Sequence, residues 1–300
     1  MKMKRSEKLG MFTGLVVGVL LLLISVFMIF QTTCKVWGAE KPANATQQGI
    51  DVSSHQGKID WEQVKNSALA DYAIIRCGYG VNQTDKDDKY WDYNSSECER
   101  LGIPYGTYLY SGADTTAKAK SEAEHVVRLL QGKNLTYPIY YDMEADMLNQ
   151  LSSTQIGNIA KTFLNTMESY GYKNVAVYSN KYLFETKLTA SVFSDYPKWI
   201  AQHSNKCTYR GSYHMWQYST QGVIPGISEK VDLNYKIGNW TYAGYSSAKK
   251  TVVVKPKATT IKSLRKSGKK AVKITYKKVS GVSGYQIYCL LYTSPSPRDM

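Results

Sequence analysis

The chain has 300 residues and a formal net charge of +14, and the surplus is spread unevenly: residues 1–48 carry six Lys/Arg against two acids, 49–241 nineteen against twenty-one, and 242–300 thirteen against one. A nucleic-acid enzyme would carry positive charge on its main folded domain, so the near-neutral central block argues against that class. Five scattered cysteines and four histidines without ligand spacing exclude a disulfide framework and a zinc site.

Residues 1–10 form a basic N-terminus with Lys2, Lys4, Arg5 and Lys8, followed by an uncharged apolar run from Met11 to Phe30. A helix of that length rises about 30 Å, enough to span the hydrocarbon layer. The basic flank should stay cytoplasmic, so everything after residue 30 is expected to be exported. Trp37, two residues before Ala39, spoils the obvious cleavage site and favours a retained anchor over a removed signal peptide.

After a linker over 31–47, apolar runs alternate with helical patterns, and a β, α, β, α order predicts an α/β fold with a parallel sheet. Gly49–Ser53 reads as the first strand, Asp60-Trp61-Glu62-Gln63 as a capping box opening a helix, and Tyr72–Cys77 as the second strand. A helix over 90–101 stops at Gly102, and a third strand covers Tyr105–Tyr110. Ala119, Ala123, Val126, Val127 and Leu130 then share a helical stripe ahead of Gly132. The strand Tyr137–Tyr141 follows, and Ser152 opens a helix whose Ile156, Ile159, Ala160, Phe163, Met167 and Tyr170 lie on one face. Strands over 174–179, 198–201, 213–218 and 231–234 complete a set of about eight, the number that closes a barrel. Helical pattern thins after Leu188, so the barrel is expected to be irregular.

Residues 242–251 read as a second linker. Over 252–288 a Lys-rich alternation, as in Ala271–Tyr276 and Gly281–Tyr288, resembles the opening of a fibronectin type III-like β-sandwich cut short. Residues 289–300 resemble a translated sequencing adapter and are set aside, so the natural chain is expected to continue beyond Tyr288. Cys77 reads as a small buried hydrophobe, with a bridge to Cys98 as the alternative.

The chemistry centres on Asp142-Met143-Glu144 after the apolar strand. Side chains on a strand repeat every second residue, so both acids should project from one face within about 7 Å of each other, the equipment for cleaving a glycosidic bond. The interval alone says little: Asp85 with Asp87, Glu97 with Glu99, and Glu122 with Glu124 share it on polar loops or helices, where solvation accounts for them. Loops after parallel strands gather at one barrel end. That gathers Asp51, Arg76, Tyr108, Tyr110, Asp142, Glu144, Tyr178, Gln202, Trp216, Gln217, Asp232 and Asn234 around one pocket. Each has a plainer alternative as a turn cap, a neutralising cation or a core aromatic. Their coincidence at one end favours a site. Crowded, partly buried acids should keep at least one carboxyl protonated.

Gly49–Gly57, Ile59-Asp60-Trp61, Ala73–Gly80, Pro138–Glu144, Gly171-Tyr172, Val177–Asn180, Trp216-Gln217-Tyr218 and Val231–Asn234 resemble, in collinear order over 48–241, the motifs of glycoside hydrolase family 25, the Chalaropsis-type lysozymes. The resemblance implies an irregular (β/α) TIM-like barrel that cleaves the β-1,4 bond between N-acetylmuramic acid and N-acetylglucosamine. It makes Glu144 the general acid and Asp142 its partner carboxylate, with Asp51 and Asp232 at the family's other acidic positions. The route stays open between a retaining double displacement, which needs carboxyl groups about 5 Å apart, inversion, which needs a wider gap for water, and a substrate-assisted path through the acetamido group, which the resemblance favours. Tyr108, Tyr110, Tyr140, Tyr178 and Trp216 are candidate faces for sugar rings, with Arg76, Gln202, Gln217 and Asn234 as polar contacts. No metal or organic cofactor is implied. The expected partners are peptidoglycan strands, the membrane through residues 11–30 and anionic wall polymers through the basic tail, with no nucleic acid. A non-catalytic peptidoglycan-binding or adhesive barrel, and a glycosidase acting on chitin-like chains, are the competing readings.

Overall fold

The computed structural model describes residues 39–240, 259–267 and 271–278. The expected membrane span, the second linker and the adapter-like end lie outside these residues. Among the described residues no helix is long and apolar enough to cross a membrane. The chain divides into two compact units, Met1–Ser247 and Ala248–Met300.

In the first unit, eight strands close a barrel: β1 (Ala45–Val52), β2 (Tyr72–Tyr79), β3 (Tyr105–Tyr110), β4 (Ile139–Asp142), β5 (Val175–Asn180), β6 (Lys198–Ala201), β7 (Met215–Gly222) and β8 (Val231–Ile237). The α/β class and strand count match the sequence reading. β1 starts earlier than expected, because Ala45 to Gln48, three of them assigned to the linker, pair with the end of β8. Helices α1 (Trp61–Ser67), α2 (Trp91–Leu101), α3 (Thr116–Leu129) and α4 (Ser153–Ser169) follow the first four strands. The short α5 (Lys181–Thr186) and α6 (Val192–Asp195) follow β5, and neither was expected. No helix joins β6 to β7 or β7 to β8, so the expected irregularity is present.

Local chemistry sets these boundaries. Ser152 caps α4 with a reciprocal box, its Oγ accepting from Gln155 N–H while Gln155 Oε1 accepts from Ser152 N–H at 2.9 Å. Asp60 forms only half of such a box on α1: it accepts from Gln63 N–H at 3.1 Å, but the Gln63 amide donates to the Asp60 carboxylate, and Asp60 N–H is taken by Gly226 O. Tyr170, placed on the buried stripe of α4 by periodicity, lies just past the helix end and is exposed.

Alternation along each strand separates two cores. Ile50, Val52, Ala73, Ile75, Tyr141 and Trp216 point outward. Tyr72, Ile74, Tyr140, Tyr178, Trp199 and Met215 fill the barrel interior. Gly49 is required there, since a Cβ would stand 2.4 Å from the Tyr72 ring. Cys77 and Cys98 are both buried and carry free thiols.

The direction of β8 corrects the sequence reading. β1 to β7 run parallel, but β8 is antiparallel to both β7 and β1. Asp232 therefore reaches the mouth from the start of its strand, paired with Asp51 near the end of β1. Asn234 lies one side-chain layer deeper.

In the second unit, β9 (Ile261–Lys266) and β10 (Val272–Tyr276) form an antiparallel pair. Ile261, Leu264, Val272 and Tyr276 stay exposed, as two strands cannot bury a face against themselves. The remaining parts of the sandwich-like reading, including 281–288, lie outside the described residues.

Candidate active site

The mouth is organised from β4 and β5. Asp142 ends β4 facing inward above Tyr140. The next residue is held to β5 on both sides, with Met143 N–H donating to Tyr178 O at 2.9 Å and Ser179 Oγ donating to Met143 O at 2.5 Å. That pairing extends the alternation beyond the strand proper, so Glu144 returns to the interior side and meets the Tyr178 hydroxyl. Asp142 is 3 % exposed and Glu144 is half-buried.

Across the mouth, Asp51 is 5 % exposed and accepts from Asn234 Nδ2 at 2.7 Å and Gln217 Nε2 at 3.0 Å. Gln217 Nε2 also lies 3.4 Å from Asp232 Oδ2, and its Oε1 accepts from the Tyr178 hydroxyl at 3.0 Å. Beneath them Trp199 Nε1 donates to Asn234 Oδ1 at 2.8 Å, fixing which way that amide faces. One hydrogen-bonded system thus runs from the barrel floor through Asn234 and Gln217 to Asp51, Asp232 and Tyr178.

All four acids hold their protons more tightly than free carboxyls. Burial pushes Asp142 well up, reinforced by the charges of Glu144 and Asp51 and opposed by Arg76. Burial and then Asp51 raise Glu144, against the hydrogen bond with Tyr178 and the nearby His203. Asp51 is driven well up by burial and by Asp232, while burial and Glu144 bring Asp232 to about 6. The pair shares a hydrogen bond that favours the proton on Asp51. Asp142 Oδ1 is buried without a protein hydrogen-bond partner.

The other expected residues divide by depth. Arg76 faces the mouth, paired with Asp88 at 2.8 Å and donating to Ser54 Oγ at 2.9 Å. Tyr110 is exposed at the rim, 36 %, and Tyr108 sits half-buried against Trp199. Asn234 and Gln217 are buried within the mouth network, and three further expected contacts lie outside it. Tyr140 is fully buried in the barrel floor against His214 and Trp199. Trp216 points outward into the core, its indole N–H donating to Gln202 O. Gln202 spends its amide on Thr208, pinning its own loop. The cause for Trp216 is strand parity, which turns Gln217 inward and its neighbour out.

The sequence model of Glycosyl hydrolases family 25 matches residues 50–227, more than half of the chain. The chain belongs to glycosyl hydrolase family 25. Its matched segment is 30% identical over 188 residues to the autolytic lysozyme of Clostridium acetobutylicum, covering 62% of this chain and 55% of that protein. The modular autolysin LytC of Streptococcus pneumoniae, solved in complex with a synthetic peptidoglycan ligand, is 33% identical with a TM-score of 0.57, over 63% of this chain and 46% of that one. The chain therefore spans about half the length of these two relatives. A family 25 glycosyl hydrolase from Bacillus anthracis, 20% identical with a TM-score of 0.59 over 68% of this chain and 95% of its own, shares the fold. Family membership makes the barrel a glycoside hydrolase domain.

The family 25 barrel also holds residues that sequence reasoning passed over. His203 Nε2 lies 2.9 Å from Gln217 Oε1; it follows Gln202 at a strand end and was as accessible to the strand-end argument as its neighbour. Asp88 anchors Arg76 with no motif to announce it, and Ser54, which shares that task, lies inside the Gly49–Gly57 motif without having been singled out. Glu122 and Asp87, dismissed as solvated, are both engaged. Glu122 is fully buried, and Asp87 accepts from Arg128 at 2.6 and 2.9 Å beside the buried His125. The signal for Glu122 was present: it stands three residues after Ala119 and four before Val126, on the apolar stripe itself.

Proposed function

We propose that this protein is a peptidoglycan hydrolase, a muramidase that cleaves the β-1,4 bond between N-acetylmuramic acid and N-acetylglucosamine. The observation that carries the reading is the pairing of a half-buried, proton-retaining Glu144 with the deeper Asp142 at the mouth of a family 25 barrel. The lysozyme and autolysin relatives support the substrate class.

In this reading Glu144 delivers its proton to the glycosidic oxygen as the C1–O4 bond breaks. The acetamido oxygen of the same sugar attacks C1, and positive charge spreads over the ring that forms. Asp142, with its unpartnered Oδ1, takes the acetamido N–H and stabilises that charge. A cation there favours the Asp142 anion, reversing the influence of Glu144. Water then adds to C1 as the bond from C1 to the acetamido oxygen breaks, and Glu144 takes the water's proton, restoring both the acetamido group and the acid. Asp51 and Asp232 tune the field and, with Gln217, Asn234 and Arg76, shape the polar wall; Tyr108, Tyr110 and Tyr178 border the sugar path. Residues 11–30 hold the enzyme on the outer face of the membrane, and the basic residues 242–288 meet anionic wall polymers.

The full chain should clear a suspension of purified cell walls, and Glu144→Gln should lower kcat by about 10²–10⁴-fold. Mass spectrometry of the released fragments should find muramic acid at the new reducing ends. Glucosamine ends would reject the bond assignment in favour of the chitin-like reading. An E144Q variant as active as the parent would reject the acid. Wall binding without clearance by the parent would leave a non-catalytic barrel.

A further inference from the structure

Directly behind the strand end that carries Asp142 lies a further buried acid that the proposed reaction does not use. Glu122, on the inner face of α3, is 0 % exposed. Its Oε2 accepts from the Tyr141 hydroxyl at 2.6 Å and from Ser111 Oγ at 2.9 Å, and its Oε1 accepts from Gly112 N–H at 2.8 Å. The two hydroxyls are 2.8 Å apart, closing a triangle on one carboxylate oxygen. Ser111 N–H in turn donates to Asp142 O at 2.9 Å. Tyr141 is the residue before Asp142, and its ring stacks on Phe163 at 3.8 Å between centroids. Ser111 follows the rim residue Tyr110.

We infer that Glu122 is a positioning residue: it locks the ends of β3 and β4 together, through Ser111 and Tyr141, and so sets where Asp142 and Tyr110 stand at the mouth. The inference rests on the reading of Asp142 given above. An apolar residue would fill the contact between α3 and the sheet without the cost of burying a carboxyl. What a carboxyl adds is a fixed acceptor for three donors from two strand ends, and hydrogen bonds to such a group are short and directional. The lock acts on both segments at once: Ser111 is held from behind by Glu122 and in front holds the Asp142 carbonyl. Misplacing a reacting group by about 1 Å can cost roughly a hundredfold in rate, so a loosened strand end should be read in turnover rather than in binding.

The test measures kcat and KM on cell-wall glycan for the full-length parent, Glu122→Gln, Tyr141→Phe, Ser111→Ala and the Glu122→Gln/Tyr141→Phe double variant, with rates counted per folded enzyme. Glu122→Gln keeps the size of the side chain but sets its NH2 group against a donor whichever way the amide turns, the two hydroxyls in one orientation and Gly112 N–H in the other. The expected result is a kcat about tenfold lower with KM within about twofold, smaller losses for Y141F and S111A, and a double variant no worse than E122Q because both act through one chain of contacts. A merely structural role predicts the opposite: lower melting temperatures with kcat per folded enzyme unchanged, and that result overturns the inference. So does a loss confined to KM. Should E122Q fail to fold, Tyr141→Phe and Ser111→Ala decide it alone, since full kcat in both overturns the inference and reduced kcat with steady KM supports it. A parent that does not cleave walls would instead overturn the muramidase reading, whereas an active parent with a fully active E122Q overturns only this one.

Discussion

Two groups of carboxylates belong to the same barrel and titrate in opposite directions. At the mouth, Asp51, Asp142, Glu144 and Asp232 all hold their protons above the ordinary carboxyl range, with burial as the leading cause in each. In the loop following β2, burial also acts most strongly on Asp87 and pushes it up, yet hydrogen bonds from Arg128 and His125 outweigh it and hold the group below its usual value. The difference is the supply of cations. Arg76 opposes the rise of Asp142 and His203 that of Glu144, but neither outweighs burial, and the Arg76 guanidinium is engaged by Asp88 and Ser54. Four acids left short of positive charge keep protons available, and one acid given an arginine and a histidine becomes a fastening.

The sharpest way to break this contrast is to remove one acid from each group. Asp142→Asn should lower kcat by about 10²-fold or more, as expected for loss of a group that stabilises developing charge, with no loss of melting temperature, because the amide removes a buried group that resists ionisation. Asp87→Ala should do the reverse: it strips a partner from the buried His125 and should lower stability by about 1–3 kcal/mol, while kcat per folded enzyme stays within about twofold. Urea unfolding and steady-state rates on the two variants check both halves. An Asp142→Asn variant with normal turnover would erase the distinction.

The next effect is in pH. Asp232 stands at about 6 in the folded protein against 3.8 in its unperturbed state, so the folded form binds its proton more tightly. Its contribution to stability is complete below the unfolded value and is lost as pH rises through the folded one, a change on the order of 1–3 kcal/mol. Asp87 has the opposite sign: its value is depressed, so its contribution is present above 3.8 and lost as pH falls through the folded value. Unfolding free energy measured from pH 4 to 7 should therefore decline on the Asp232 side, and Asp232→Asn should flatten that decline. An unchanged slope in D232N would remove Asp232 from the titrating group. For activity, the raised value of Glu144 predicts turnover that is retained in weak acid and falls as that carboxyl ionises.

The smallest expected effects separate rim from core. Tyr110→Ala, at an exposed position, should raise KM by about three- to tenfold, the equivalent of one stacked ring. Trp216→Phe, at a side chain turned away from the opening, should leave KM within about twofold and lower the melting temperature through the lost bond to Gln202 O.

Much of this was legible before any fold existed. Strand runs such as Tyr72–Cys77 and Tyr105–Tyr110 announced themselves by composition, and the caps at Asp60 and Ser152 by the chemistry of unsatisfied amides. Glu144 and Asp142 stood out by interval and context, and the fold brings both to the barrel mouth. Trp216 was misjudged because strand parity there depends on a register that the sequence does not display. Gln202 was misjudged because its partner, Thr208, belongs to a helix-free loop. Glu122 was passed over because interval was weighed without its place on the apolar stripe.

Alternation of apolar and polar residues, with caps and turns between, determined that residues 45–237 form eight strands and where their acids cluster along the sequence, since those depend on neighbours within a few residues. Only the tertiary structure decided that β8 runs backwards so that Asp232 meets Asp51, that Gln217 and Asn234 join them into one network, and that Glu122 stands behind Asp142. These depend on pairing between segments as much as 183 residues apart, as for Asn234 and Asp51, and on burial, which raises each carboxyl it covers and is outweighed where a distant segment supplies donors, as Arg128 does for Asp87.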